Sequence, residues 1–338
     1  MIARTREWIN ERLDGCQEAG KLYVAHERAE KVKMRRAVEE GLACEIMPWS
    51  FARKDYWCRL KPAARARHRI RALHECEPGI VFAGASAALV HGLTVSNRHL
   101  RQTWVATSRK THRRSDDNIK CIIVSADDFA KVDGLRVTSL ERTLYDCLRI
   151  MDFRSALAVA DSALRLRSLA AGDLASRIET TYRNARDLRR VRAAVLLADG
   201  RSESGGESIA RATMLELGLA TPDLQRSFSS PLDPRRVYRV DYAWDVIGGV
   251  VLGELDGNEK YLSTDMRGQL SIAQVIEREH RRQSYIEAIE GVLRMIRFGF
   301  SDVMDDRSFL RLLMGCGVPR TFVLDKRVVE ARGILRCR

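Results

Sequence analysis

The chain has few of the features that mark secreted, membrane-spanning or zinc-ribbon proteins. Its 8 cysteines are scattered over 338 residues and include no C-x-x-C pair. Such spacing argues against a zinc site or a disulfide framework and favours reduced thiols in a cytoplasm. No apolar run approaches the roughly 20 residues that cross a membrane, and the N-terminal residues lack the apolar core of a signal peptide. We therefore expect a cytoplasmic protein with no membrane partner.

The sequence also lacks the common signatures of metal-free hydrolases and nucleotide-binding proteins. It has no GxxxxGK[ST] phosphate loop, and no Ser/His/Asp or Cys/His grouping stands out among its 7 histidines. If the chain cleaves phosphodiester bonds, it needs a metal ion to activate water.

Acidic residues are scarce in one part of the chain only. Residues 1–200 contain 37 Lys and Arg against 25 Asp and Glu, whereas residues 201–338 contain 21 against 20. Nearly all of the net charge of +13 therefore belongs to the N-terminal part. A positive field concentrated there favours a polyanionic partner, most simply DNA or RNA. The alternative is a soluble protein with a generally basic surface.

The start of the chain predicts a winged helix-turn-helix. Residues 1–41 have few helix breakers and place apolar side chains at helical spacing, and Gly41 is a natural helix end. Two strand-like segments follow, Ala43–Pro48 and Tyr56–Leu60. Helices followed by a two-stranded ribbon are typical of this fold.

A cationic run across and beyond this ribbon strengthens the prediction of nucleic-acid binding. It contains one acid, Asp55, and these basic residues: Arg53, Lys54, Arg59, Lys61, Arg65, Arg67, Arg69 and Arg71. Such clusters contact phosphates and position a protein on nucleic acid without reading its sequence. The alternative is a solvated helix face.

A second candidate functional region is a β-hairpin in the C-terminal part. Val237–Trp244 and Val250–Asp256 are rich in strand-forming residues and flank the breaker Gly248-Gly249. Side chains alternate along a strand, so Glu254 and Asp256 are expected to project from the same face.

Three carboxylates and a lysine come together in this prediction. Asp241 on the first strand can approach Glu254 and Asp256 on the second, and Lys260 follows the next turn. Carboxylates of this kind hold Mg²⁺ or Mn²⁺, and a lysine can position the attacking water. The three carboxylates are therefore the expected metal ligands, and Lys260 is the expected catalytic cation. The alternative is a set of solvent-facing charges at strand ends, next to an ordinary turn.

The helix that precedes the hairpin supplies a further candidate. Ser204 and Glu207 have the spacing of a capping box at the start of a helix that ends at Gly218. Glu207 can also face the metal as a catalytic residue, and the two roles are compatible. Arg294 and Arg297, on a predicted later strand, are expected to flank the same site.

The hairpin and its surroundings resemble the PD-(D/E)xK nuclease superfamily, in particular domains akin to the very-short-patch repair endonuclease. Asp241 matches the first acid of the motif and Glu254 the second, while Asp256 occupies the position of the motif lysine. The resemblance implies a core of helix, hairpin, helix and strand, with Lys260 as a displaced lysine. It also implies Mg²⁺-dependent DNA cleavage, with an acid at the position of Glu207.

The middle of the chain resembles AbiEi-type proteins, the antitoxin and transcriptional-repressor component of type IV toxin–antitoxin systems. The segments that carry this resemblance are Gly84–Leu93, Arg136–Asp146 and Ala156–Arg165. It implies a DNA-binding regulator with a toxin protein as a partner.

Together these patterns predict an α/β protein, α+β overall, in four segments. These are a winged-helix-like nucleic-acid-binding domain (1–75), an AbiEi-like α/β domain (76–198), a restriction-endonuclease-like mixed sheet flanked by helices (199–316) and a basic tail (317–338). The expected function is a cytoplasmic DNA-binding protein with a Mg²⁺-dependent endonuclease domain. The alternative is an AbiEi-like repressor or antitoxin whose nuclease-like domain is catalytically inactive.

Overall fold

A computed structural model of the chain describes residues 3–108, 115–124, 128–230, 233, 235–256, 272–321 and 323–333. The architecture is mixed: helices alternate with several small sheets, so the predicted α+β class is confirmed. None of the described helices combines the length and the apolar character that crossing a membrane requires.

The chain divides into two compact units, Met1–Cys147 and Leu148–Arg338. The boundary expected at 198/199 lies inside the second unit.

The first unit begins with two helices and a small antiparallel sheet in the strand order β1-β3-β2. The elements are α1 (Ala3–Glu18), β1 (Tyr23–Val24), α2 (Arg28–Glu39), β2 (Ala43–Met47), β3 (Ser50–Arg53), α3 (Lys54–Arg59) and α4 (Pro62–Cys76). Ile9, Leu13, Met34 and Phe51 are buried together, which holds α1 and α2 against the sheet.

The strand predicted over Tyr56–Leu60 is wrong, because these residues form most of helix α3. The partner of β2 is instead β3, which follows a tight turn at Trp49. The aromatic rings of Tyr56 and Trp57 both pack against His68 of α4, and the Tyr56 hydroxyl lies 2.8 Å from His68 Nε2. Packing on α4 therefore outweighs the strand preference of these aromatic residues.

The rest of the first unit is a small α/β arrangement around the buried side chain of Phe82. Its elements are α5 (Gly84–Val90), a 3₁₀ turn (Asn97–Leu100), β4 (Thr103–Thr107), β5 (Ile119–Ile123), β6 (Phe129–Val132), β7 (Leu135–Thr138) and α6 (Leu140–Ile150). Strands β4 and β5 are parallel, and β6 and β7 form an antiparallel hairpin. Gly84 has a φ of +47°, and a Cβ there would lie 2.4 Å from the Trp104 ring, so this close packing requires glycine.

The second unit contains a four-stranded mixed sheet in the order β11-β10-β9-β8. Its elements are α7 (Phe153–Arg167), α8 (Ala171–Thr181), α9 (Leu188–Leu196), α10 (Gly205–Glu216), β8 (Asp223–Ser229), β9 (Val237–Val246), β10 (Gly249–Asp256), α11 (Ile272–Glu287), β11 (Val292–Gly299), α12 (Phe300–Met304), α13 (Asp306–Gly315) and α14 (Lys326–Arg332). Strands β8, β9 and β10 are antiparallel neighbours, and β11 runs parallel to β10. The predicted hairpin, both flanking helices and the later strand are confirmed.

Helices cover both faces of this sheet. On one face, Met214 of α10 and Phe309 of α13 pack on Tyr242, Trp244 and other strand residues. On the other face, Ile286 of α11 packs on Tyr238, Val240 and Leu252. We call these the α10 face and the α11 face.

A buried ion pair explains why helices α7 to α9 belong to the second unit. Arg211 of α10 donates two hydrogen bonds to Asp161 of α7, at 2.8 and 2.9 Å. Both residues are almost fully buried, and Arg211 also donates to the carbonyl of Leu197 at 2.8 Å. Since a buried charge is tolerated only when it is paired, this contact ties α10 to the helices before it.

Helix α14 lies within the segment that the sequence marks as a basic tail. Asp325 caps the helix by accepting a hydrogen bond from the Arg327 amide at 2.7 Å. Val328 and Ala331 are buried, and the carbonyl of Ala331 accepts a hydrogen bond from Arg190 of α9 at 3.1 Å. Apolar residues inside a basic segment therefore dock it on the second unit.

Candidate functional site

The hairpin of β9 and β10 opens at the acids predicted from the sequence. The antiparallel ladder ends at the pair Gly253 and Tyr242. Beyond it, the side chain of Asp241 accepts a hydrogen bond from the Leu255 amide through Oδ2, at 3.0 Å. The Asp241 carboxylate thus contacts the β10 backbone just beyond the end of the ladder.

Asp241 lies where the alternation of β9 shifts. Tyr238 and Val240 pack on the α11 face, whereas Tyr242 and Trp244 pack on the α10 face. In a regular strand, residues two apart share a face, so the pattern changes by one position at Asp241. As a result, Asp241 belongs to neither the hydrophobic core on the α10 face nor the one on the α11 face.

Gln225 on β8 is the neighbour of Asp241 at this irregularity. Its φ is +54°, a left-handed conformation that is unusual for a residue with a long side chain. Its amide Nε2 donates to Glu207 Oε2 at 3.1 Å and to Asp241 Oδ1 at 3.3 Å. Strained backbone of this kind concentrates at functional sites, where the surrounding structure holds it in place.

Glu207 lies in the first turn of α10 and contacts both the helix cap and the polar network around Asp241. Its amide donates to the Ser204 hydroxyl at 3.1 Å, which caps α10. Its carboxylate accepts from the Glu203 amide at 2.7 Å and from Gln225, so it also joins the polar network around Asp241.

Repulsion and burial act on the two acids beside Asp241. Burial raises the pKa of Glu207, and the nearby Asp241 carboxylate raises it further. Burial also raises the pKa of Glu254, with Asp241 adding to the effect and the Arg282 guanidinium opposing it. Repulsion by the Asp241 carboxylate therefore contributes to the raised pKa of both acids.

Two arginines neutralise the acids of β10. Arg282 of α11 lies 2.5 Å from Glu254 Oε1 and also donates to the Arg239 carbonyl at 2.7 Å. Arg297 of β11 lies 2.5 Å from Asp256 Oδ1 and makes further hydrogen bonds to both carboxylate oxygens. Leu252 packs on the α11 face, so alternation places Glu254 and Asp256 on that face, away from Glu207 on α10.

The oxygen donors of this region suit a hard divalent cation by chemistry but not by arrangement. Within the described ranges, no three His, Cys, Asp or Glu side chains lie close enough together to hold a metal ion. The expected convergence of Asp241, Glu254 and Asp256 is therefore not met. Glu207 and Asp241 form one half of the site, and the two ion-paired acids form the other. As arranged, Glu207 and Asp241 have no third carboxylate, His or Cys ligand beside them among the described residues, so a metal ion there would need ligands from water or a DNA phosphate.

The sequence predicts three cations near the site, Lys260, Arg294 and Arg297, and their outcomes differ. Lys260 lies outside the described residues. Arg297 contacts the site as expected, whereas Arg294 lies 3.7 Å from the Cys316 sulfur instead. Sequence reasoning missed Arg282; its spacing from the buried Ile286 on an amphipathic helix was the available signal.

The cationic run of the first unit is partly used by the fold itself. Arg53 pairs with Asp14 at 2.5 Å, and Arg59 pairs with Asp55 at 3.1 Å. The side chains of three others donate to main-chain carbonyls: Arg65 to Trp57 and Cys58, Arg69 to Leu100, and Arg71 to Gly20. Lys54, Lys61 and Arg67 are exposed.

A second cationic surface, which sequence reasoning missed, lies on α2 and the turn between β2 and β3. Trp49 in that turn has a φ of +64° and is 36% exposed. Lys31 Nζ lies 4.3 Å and Arg35 Cζ lies 4.9 Å from the centroid of its ring. We call Arg28, Lys31, Val32, Arg35 and Trp49 the α2 surface. Its signal in the sequence was basic residues at positions 28, 31 and 35, one face of a helix.

No protein-family model matches this chain. Two Mycobacterium tuberculosis proteins, named "Uncharacterized protein MT2308" (strain CDC 1551 / Oshkosh) and "Uncharacterized protein Rv2248" (strain ATCC 25618 / H37Rv), are each 32% identical to it over 114 residues. The match covers 34% of this chain and 41% of each relative, so it spans less than half the length of either relative.

Proposed function

We propose that the protein is a DNA-binding regulator whose first unit contacts DNA and whose second unit carries a nuclease-like core without cleavage activity. The observation that carries the proposal is the α2 surface. It joins an exposed, strained tryptophan to a row of cations on one helix face.

The composition of this surface suits duplex DNA. Arg28, Lys31 and Arg35 can contact phosphates, which supply most of the affinity. Val32 is 45% exposed among these cations and can make apolar contact with base edges in a groove. A bulky residue with positive φ at the turn costs about 1–3 kcal/mol, which favours a functional reason for Trp49.

The arginine pairs of the second unit favour a regulator over a nuclease. Glu254 and Asp256 are neutralised by Arg282 and Arg297, and aspartate stands where the nuclease motif has lysine. The order α10, β8 to β10, α11 and β11 supports the nuclease-like part of the proposal. The AbiEi resemblance adds a toxin protein as the partner of such a regulator.

A fluorescent duplex titrated with the full chain at several salt concentrations tests DNA binding. We expect log K to fall linearly with log salt, and Arg35→Ala and Lys31→Ala each to lower the slope by about 1. Lys33→Ala is the matched control, because Lys33 lies on the other side of α2 and its Nζ stacks 4.4 Å from the Trp8 ring. No binding at about 50 mM salt, or equal effects of all three variants, would contradict the proposal.

Metal-dependent DNA cleavage is the second candidate function. It is favoured by the network of Glu207, Gln225 and Asp241, in which two carboxylates share one amide donor beside strained backbone. Cleavage, unlike binding, requires Asp241. The variant Asp241→Ala therefore separates the two functions.

A further inference from the structure

The first unit contains a cavity that the DNA-binding proposal does not use. It measures about 370 Å³, a size in the range of small-molecule pockets. Three elements enclose it: helix α4, the end of α5 near Gly92, and the turn between β6 and β7 at Asp133 and Gly134.

The floor of this cavity is apolar. Ile70 of α4, Leu89 of α5 and Leu135 of β7 line it, and all three are buried in the core of the first unit. An apolar floor of this kind favours a ligand with a hydrocarbon or aromatic body.

One wall of the cavity is cationic. Arg67, Arg71 and His74 line it from α4, where their spacing of four and three residues puts them on one helix face. Both arginines are exposed, and Arg71 donates one hydrogen bond to the Gly20 carbonyl at 3.1 Å. Asp133 is the carboxylate among the lining residues, so the wall carries more positive than negative charge.

His74 gives an independent indication of a missing ligand. Its Nδ1 atom is buried and has no hydrogen-bond partner among the described residues. Buried polar atoms are normally paired, so an unpaired one beside a cavity suggests a partner that occupies the cavity.

We propose that this cavity binds a small organic anion. Arg67 and Arg71 hold its carboxylate or phosphate group, His74 Nδ1 hydrogen-bonds to a polar atom, and the apolar body lies on Ile70, Leu89 and Leu135. Two of the cations that the sequence assigns to DNA phosphates therefore serve a small ligand instead.

Indole-3-acetate titrated into the full chain, with binding measured by calorimetry, tests this site. We expect a Kd of about 1 mM or tighter. The neutral amide of the same compound should bind at least about tenfold more weakly, because it lacks the charge that the arginines recognise. Inorganic phosphate should also bind more weakly, because it lacks the apolar body.

Variants locate the binding. Arg67→Gln should weaken indole-3-acetate binding by about tenfold, since Arg67 is exposed and its loss leaves the core intact. Arg101→Gln is the control, because Arg101 is an exposed arginine of the same unit outside the cavity lining, and it should bind like the wild type. Failure of indole-3-acetate to bind at about 10 mM overturns the proposal, as does equal binding of acid and amide or an unchanged affinity in Arg67→Gln.

Discussion

Single residues in this protein are often constrained by burial of charge, and Arg211 is the clearest case. Arg211 is 3% exposed and is paired with Asp161, which is fully buried. Burial raises the pKa of Asp161, and Arg211 opposes that shift. The pair holds α10, and with it Glu207, on the helices before it.

Removal of Arg211 should leave Asp161 as a buried charge without a counter-charge, which destabilises the fold. We predict that Arg211→Met lowers the free energy of unfolding of the second unit by about 3–5 kcal/mol, because it leaves Asp161 buried and unpaired. The double variant Asp161→Leu/Arg211→Met should recover most of this loss. Urea denaturation followed by circular dichroism measures both. Arg201→Met, which removes an exposed pair with Asp199 and Asp223, is the control and should cost under about 1 kcal/mol.

His68 makes the stability of the first unit depend on pH. Burial lowers its pKa from the ordinary value of 6.5. Its Nδ1 lies 2.7 Å from the Ala64 carbonyl and its Nε2 lies 2.8 Å from the Tyr56 hydroxyl, an arrangement that suits the neutral ring. The neutral form stabilises the fold above the unfolded pKa, and that contribution is lost as pH falls toward the folded pKa.

Acidification from about pH 7.5 to 5.5 should therefore destabilise the first unit by up to about 1.4 kcal/mol per pH unit below the unfolded pKa. His68→Gln should remove this component of the pH dependence. Trp fluorescence in urea titrations measures it, because most of the tryptophans lie in the first unit. A wild-type slope in His68→Gln would contradict the assignment.

Among the secondary-structure elements, the hairpin of β9 and β10 was predictable because its signals are local. The Gly248-Gly249 breaker and the β-rich runs on either side fix its position, and both glycines have positive φ. The shift at Asp241 was not predictable, since it depends on Gln225 in β8, which is distant in sequence. The same limit applies to α3, whose aromatic residues pack on His68 of α4, a contact that local sequence preference does not indicate.

The strain at Gln225 can be measured by two substitutions. Gln225→Ala and Gln225→Gly both remove the amide that bridges Glu207 and Asp241. Glycine adopts positive φ without the steric cost that alanine has, so we predict that the glycine variant is more stable by about 1 kcal/mol. Chemical denaturation of both variants tests this; an alanine variant as stable as the glycine variant would mean that φ relaxes at this position.

At the scale of the whole molecule, composition shows that the excess positive charge lies in the N-terminal part. It does not show which surface of that part presents the charge to solvent. Charge counting selected the run from Arg53 to Arg71, where several side chains bond to the protein itself. The α2 surface depends on Trp49 meeting Lys31 and Arg35 across a turn. Likewise, the acids near the hairpin were identified from sequence, but their pairing with Arg282 and Arg297 depends on how α11 and β11 pack.

Supercoiled plasmid incubated with the full chain and Mg²⁺ or Mn²⁺ tests the central claim, which is DNA binding without cleavage. Gel electrophoresis before and after removal of the protein separates retardation from nicking. We predict that the plasmid is retarded, less so at higher salt, and remains supercoiled once the protein is removed. Metal-dependent nicking that Asp241→Ala abolishes, or a plasmid that is not retarded at low salt, would contradict the account.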